Sequence, residues 1–177
     1  HGYEVAVIDR NPLCPGREHA DTFYELSIAD KAACLEAAYD FAPNGVATAG
    51  TDFTTTVSWI CEALGLPANQ FVPYETAYEM SNKYVMRRCL ESNGVSQPHP
   101  YAMYGGGSTG YFEDVDVLIV KPCQSMGARG VSIAKGSIEQ TLDCVRHAQE
   151  VDPKGECIVE PYIDADKFLS VDSMWLA

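Results

Sequence analysis

At 177 residues the chain is long enough to bury a core, as one domain or two small ones. With 46% hydrophobic and 21% charged residues its composition is that of a globular protein, which excludes wholesale disorder, and no apolar run approaches the roughly 20 residues that a membrane helix needs. Twenty-five acidic against twelve basic residues give a net charge of −13, which repels nucleic-acid backbones and anionic membranes, so neither is an expected partner.

The first apolar stretch, residues 3–9, ends in Asp9 and the turn Asn11-Pro12 and reads as a buried parallel strand. It follows His1-Gly2 directly, with neither an initiator Met nor a signal sequence, so a cut end is expected there. Asp30 is placed to cap a helix whose apolar positions are Ala33, Leu35, Ala37, Ala38 and Phe41, with Asn44-Gly45 as its stop and a second strand over 46–49. Gly50-Thr51-Asp52 turns into a further helix through Trp59, Ile60 and Leu64, ended by Gly65 and Pro67. Alternating short strands and helices predict an α/β unit built on a parallel, doubly wound sheet.

From about Tyr74 the texture changes. One helix is expected around 76–80 and another from the cap Asn82 through 83–91, stopped by Asn93-Gly94. A Gly-rich connector, 104–110, leads to a strand over 115–120, a loop over 123–130 and a strand over 131–134, which suggests a hairpin. Ser137-Ile138-Glu139-Gln140 has the form of a capping box, with Ile138, Leu142 and Val145 at helical spacing behind it, and a strand over 156–160 completes an α+β unit.

Six of the twelve cations (Lys83, Arg87, Arg88, Lys121, Arg129 and Lys135) fall in the stretch 83–135, the pattern of a local anion site in an acidic protein. Lys83 stands in the first turn of its helix, where an ammonium and the helix N-terminus together favour a phosphate. Lys121 directly follows an apolar strand and needs a partner there. Behind it Ser125, Met126, Gly127, Ala128, Arg129 and Gly130 form a loop whose backbone N–H groups can approach an anion, although it matches neither common phosphate-loop fingerprint. Ile158-Val159 runs into Glu160-Pro161-Tyr162-Ile163, a strand end with apolar walls and backbone polar groups suited to an adenine edge. The seven cysteines are odd in number, scattered and without a C-x-x-C pair, so reduced structural thiols in a cytoplasmic protein are expected, and no zinc site.

Taken in order, Asn82-Lys83-x-x-Met86-Arg87 with Gly94-Val95, then Ile119-Val120-Lys121-Pro122 with the loop 126–131, then Val159-Glu160-Pro161-Tyr162-Ile163, the sequence resembles the ATP-grasp superfamily of carboxylate-amine and carboxylate-thiol ligases. The resemblance spans nearly the whole chain. It implies a Rossmann-like, parallel-sheet pre-ATP-grasp domain over 1–74 that lacks its first strand, and a partial ATP-grasp domain over 75–177. Within the latter, 101–163 would be the α+β lid subdomain and 164–177 the start of the C-terminal one. It further implies that Lys83 and Lys121 hold ATP phosphates, that the loop from Ser125 to Gly130 covers the terminal phosphates, and that Glu160, Pro161, Tyr162 and Ile163 form the adenine hinge. The family places a ribose-binding glutamate shortly beyond the hinge; here Lys167 stands there, and Asp166, or Asp164, takes the role after a one-residue shift.

The cofactors implied are ATP and Mg2+, with the metal ligands and the catalytic arginine expected beyond Ala177, so no catalytic or metal residue is assigned. The resemblance implies a small carboxylate substrate, activated as an acyl phosphate for attack by an amine or thiol, and leaves a homodimer open. Two rival readings stand beside it. One is an ATP-grasp kinase acting on a hydroxyl; the other is an NAD-binding oxidoreductase, resting on Asp9 as a ribose-binding acid at the end of an early strand.

Overall fold

The computed structural model describes residues 2–48, 53–68, 71–99, 102–105 and 116–167. The chain divides into two compact units, His1–Tyr78 and Glu79–Ala177. The expected turn at Gly50-Thr51-Asp52, Val115, the connector glycines Gly106, Gly107 and Gly110, and everything past Lys167 lie outside the described residues.

In the first unit β1 (Ala6–Ile8) and β2 (Thr22–Tyr24) pair in parallel, Val7 opposite Phe23. The turn after β1 is a relay of short bonds: Asp9 Oδ1 accepts the Asn11 N–H at 2.8 Å and Asn11 Oδ1 accepts that of Leu13 at 3.0 Å. A one-turn 3-10 helix, Pro15–His19, precedes β2, a strand absent from the sequence reading because a three-residue run bounded by acids carries almost no periodic signal.

Helix α1 (Lys31–Phe41) starts as expected, with Asp30 accepting the Ala33 N–H at 3.1 Å, and α2 (Thr54–Ala63) follows. Cys34, Ala38 and Ile60 form the buried core between the two helices, with Ile8, Val46, Trp59 and Leu64 packed around it. Two expectations are corrected here. Helix α1 ends at Ala42, in the left-handed region at φ 52°, because Pro43 forbids continuation before Asn44-Gly45 is reached. Residues 46–48 form no strand: Val46 is drawn into the helical core by its side chain and donates its backbone N–H to the Cys61 sulfur.

Helix α3 (Tyr74–Ser81) is followed by α4 (Lys83–Ser92). The second unit is built on an antiparallel sheet of order β3-β6-β4-β5, made of β3 (Ala102–Tyr104), β4 (Val117–Pro122), β5 (Ser132–Lys135) and β6 (Cys157–Pro161). Helix α5 (Ile138–Val151) covers one face. Side chains alternate along a strand, so Leu118, Val120, Ala134, Cys157 and Val159 all point to that helix and close a core with Val145 and Ala148.

Tyr104 belongs to β3 rather than to the Gly-rich connector, since it pairs with Cys157. Strand β4 also runs two residues further than expected, because Lys121 and Pro122 keep their ladder with Ile158 and Cys157. The capping box is half formed: Ser137 Oγ accepts the Gln140 N–H at 3.1 Å, whereas Gln140 Oε1 reaches back to the Lys135 N–H at 2.8 Å and ties the helix to β5.

Candidate functional site

The sheet face away from α5 carries Ile119 and Lys121 from β4 and Ile158 and Glu160 from β6, by the same alternation that sends their neighbours into the core. Opposite residues share a face, and Lys121 lies diagonal to Glu160, two positions from its partner Ile158. The Lys121 ammonium donates to Glu160 Oε2 at 2.7 Å, while Glu160 Oε1 accepts from Nε of Arg87 on α4. Glu160 is 1% exposed, yet both its oxygens are paired. Burial by itself would push this carboxyl upward; the bonds and charges of Arg87 and Lys121 outweigh that and hold it below the ordinary glutamate value.

The start of α4 is fixed by Asn82, 2% exposed, whose side chain accepts the N–H groups of Tyr84 and Val85 at 3.1 Å each. The Lys83 N–H, one of those an isolated helix leaves without a partner, goes to the Cys123 carbonyl at 2.9 Å. The Lys83 ammonium reaches the Ser125 carbonyl at 3.3 Å, so this lysine lies against the glycine loop. Lys83 and Arg87 are four residues apart on one helix and therefore share a face. One helix thus meets the loop with one cation and the sheet with another.

The loop is pinned at its stems and shaped by left-handed residues at Gly127 (φ 60°), Ala128 (φ 56°) and Gly130 (φ 73°). At Gly130 a Cβ would stand 2.7 Å from Pro122 Cγ and 3.0 Å from Val151 Cβ, so glycine is needed there for space as well as for φ. Ser125 Oγ donates to the Arg129 carbonyl at 3.0 Å, and Arg129 Nε donates to the Met126 carbonyl at 3.1 Å. At the entry, Asp152 accepts the Gln124 N–H at 2.6 Å and those of Lys154 and Glu156 at 2.9 and 3.0 Å. That carboxylate brackets the loop to the turn between α5 and β6.

Past Glu160 the backbone is partly committed: the Tyr162 N–H donates to the Val117 carbonyl at 2.9 Å, and Pro161 has none to give. Ile163 is 58% exposed, and Asp166 is exposed at a bend beyond it, beside the equally exposed Lys167. Of the residues singled out in the sequence, Lys121 and Glu160 are therefore brought into direct contact, as are Lys83 and Ser125.

In the sequence Arg87 stands among the cations of the anion site and in the first motif without a role of its own, and Asp152 is not singled out. The signal for Arg87 was its helical spacing from Lys83; for Asp152, an acid followed by Pro153 at a helix end gave no sign that it would cap a loop 28 residues away. Cys123, beside Lys121, is fully buried, and its thiol is pushed up to about 12, first by burial and then by the charges of Asp152 and Glu156. It stays protonated near neutrality, which agrees with a structural thiol rather than a nucleophile.

No family model matches the sequence, and no curated protein matches it. Solved structures do. The biotin carboxylase domain of the Hydrogenobacter thermophilus 2-oxoglutarate carboxylase, solved with MgADP, ADP and bicarbonate, superimposes with a TM-score of 0.67 at 16% identity, covering 92% of this chain and 40% of that one. The L-amino acid ligase of Bacillus licheniformis gives a TM-score of 0.65 at 19% identity, covering 92% and 39%. The N5-carboxyaminoimidazole synthetase of Staphylococcus aureus, solved with ADP, gives 0.64 at 18% identity, covering 92% and 42%. The chain spans less than half the length of each. On that likeness the chain, with its mixed α/β units of one parallel and one antiparallel sheet, shares the fold of the matching part of those three proteins.

Proposed function

We propose that this chain supplies the ATP-binding part of a ligase that activates a carboxylate as an acyl phosphate for attack by an amine or a thiol. The observation that carries the reading is that helix α4 joins the two parts of the site: its Lys83 meets the glycine loop at Ser125, and its Arg87 meets Glu160, which Lys121 also bonds. Two neighbouring folds were solved with ADP, one of them as MgADP, which supports a nucleotide in this place. In this reading Lys83, Lys121 and the loop amides from Ser125 to Gly130 take the phosphates, and the Arg129 guanidinium adds to them. The Pro161 carbonyl and the Ile163 N–H take the adenine edge, because the Tyr162 N–H is spent on β4.

Phosphoryl transfer of this kind needs positioning and charge neutralisation and no protein nucleophile. A carboxylate oxygen attacks the γ-phosphorus and ADP leaves; the amine or thiol then attacks the acyl carbon, and inorganic phosphate leaves with the acyl-phosphate electron pair. Magnesium would neutralise the phosphates, but among the described residues no group of three or more His, Cys, Asp or Glu could hold a metal ion. Asp166 remains the proposed ribose contact and lid closure the means of excluding water. The carboxylate substrate, a homodimer and a cytoplasmic location belong to the same reading.

Titration with MgATP and with NADH tests it. MgATP is expected to bind, and Lys121→Ala to weaken it by roughly 1 to 3 kcal/mol, the value of one charged contact. Tighter binding of NADH than of MgATP would overturn the reading. The NAD alternative rests on Asp9 alone, one of whose carboxylate oxygens accepts the Asn11 N–H. In the full-length protein hydroxylamine trapping separates a ligase from a kinase, because only an acyl phosphate gives a hydroxamate.

A further inference from the structure

The carboxylate of Glu160 is shared between two cations from different elements, Lys121 on β4 and Arg87 on α4. An ammonium has three N–H donors, and the 2.7 Å bond to Glu160 uses one of them. The remaining donors are what a bound anion can use, and where they point depends on how Glu160 is held. Arg87 holds it by the far oxygen. Two cations and one carboxylate leave a charge of +1 on this face of the sheet, whereas Lys121 and Glu160 alone would cancel.

We infer that Arg87 is a positioning residue for nucleotide phosphate: it occupies Glu160 Oε1, so that Glu160 orients the Lys121 ammonium by a single bond and leaves it its charge and its outward donors. Without Arg87, Glu160 Oε1 is buried without a partner. The carboxylate then turns both oxygens on Lys121, draws the ammonium down onto the sheet and neutralises it. Arg87 acts through Glu160 and Lys121 and touches no ligand itself. Its place one turn from Lys83 also means that a single helix sets both lysines, one directly and one at second hand. The inference rests on the nucleotide reading above.

The test is a double-mutant cycle read by the dissociation constant of a fluorescent MgADP analogue in the unsubstituted protein, Arg87→Met, Lys121→Met and the double variant, with a thermal melt of each. Arg87→Met is expected to weaken binding about tenfold, as loss of one charge-assisted contact does. Lys121→Met and the double variant are expected to bind alike. Arg87→Lys, which keeps a charged donor for Glu160, is expected to recover most of the loss, and Arg87→Gln, which removes the charge, carries the same cycle if Arg87→Met fails to fold. A tenfold loss that recurs on the Lys121→Met background, or an Arg87→Met affinity equal to that of the unsubstituted protein, overturns the inference and leaves the nucleotide reading standing. Failure of the unsubstituted protein to bind the analogue at all overturns both.

Discussion

Glu160 has the most to lose from a change of one atom. Among the described residues its buried carboxylate is held by the two cations it joins, and replacing it with Gln keeps the shape while removing the charge both of them need. Leaving such charges without a counter-ion costs about 3 kcal/mol, so Glu160→Gln is expected to lower the urea-unfolding free energy of the protein by about that much at pH 7. The pH dependence has a definite sign. Because the folded carboxyl titrates below its usual value of 4.5, its stabilisation is complete above that pH and is lost as the pH falls through the depressed value. The gap between the unsubstituted protein and Glu160→Gln should therefore be constant from pH 7 to about pH 5 and close below it. A gap that does not change down to pH 3 would mean that the bridge does not control this carboxyl.

At the scale of elements, what was legible in the sequence was whatever repeats. Helices α1, α2, α4 and α5 announced themselves by caps and spacing, and Asp30, Asn82 and Ser137 accept the bonds their positions foretell. Strand β4 was legible as an apolar run, but not its length, because Lys121 and Pro122 look like the end of a strand and are kept in register only by β6. Of the three-residue strands, β1 was legible within the apolar stretch 3–9, but β2 and β3 were not: they exist through pairing with partners 16 or more residues distant in sequence, and nothing local marks them. Residues 46–48 show the reverse case, a β-like composition claimed by helix packing instead.

The glycine loop was legible as a loop, and its two kinds of glycine were not told apart. At Gly127 a Cβ would meet nothing within 4 Å, so Gly127→Ala is expected to cost about 1 kcal/mol for its positive φ alone. Gly130→Ala adds a clash with Pro122 and Val151, and a loss of about 3 kcal/mol in thermal or chemical melts is expected. Equal costs at the two positions would show that the stem is not tightly held.

At the scale of the whole molecule, the net charge of −13 and the local cluster of cations work in opposite directions. The overall charge repels nucleic acid, while Arg87, Lys121 and Lys83 lie close enough to one sheet face to make a positive site within it. With a sequence pI of about 4.5, the protein is expected to reach its solubility minimum near that pH, where self-repulsion vanishes, and a turbidity scan from pH 7 to pH 4 checks it. The seven cysteines are all free, five of them buried, so oxidative pairing should not accompany that precipitation.

The wedge of Gly130 between Pro122 and Val151 also bears on how this site could change its reach. With Asp152 holding Gln124 at the other stem, both ends of the loop are nailed to the sheet and helix beneath, and only the stretch between them is free to vary in length. Loop-closure entropy grows slowly, by about 0.6 kcal/mol for a doubling of length. Insertions between Met126 and Arg129 are therefore the inexpensive route to a longer or shorter cover, whereas any side chain at Gly130 would pry α5 from the sheet. A redesign of what this loop can span would begin at its tip and leave both anchors alone.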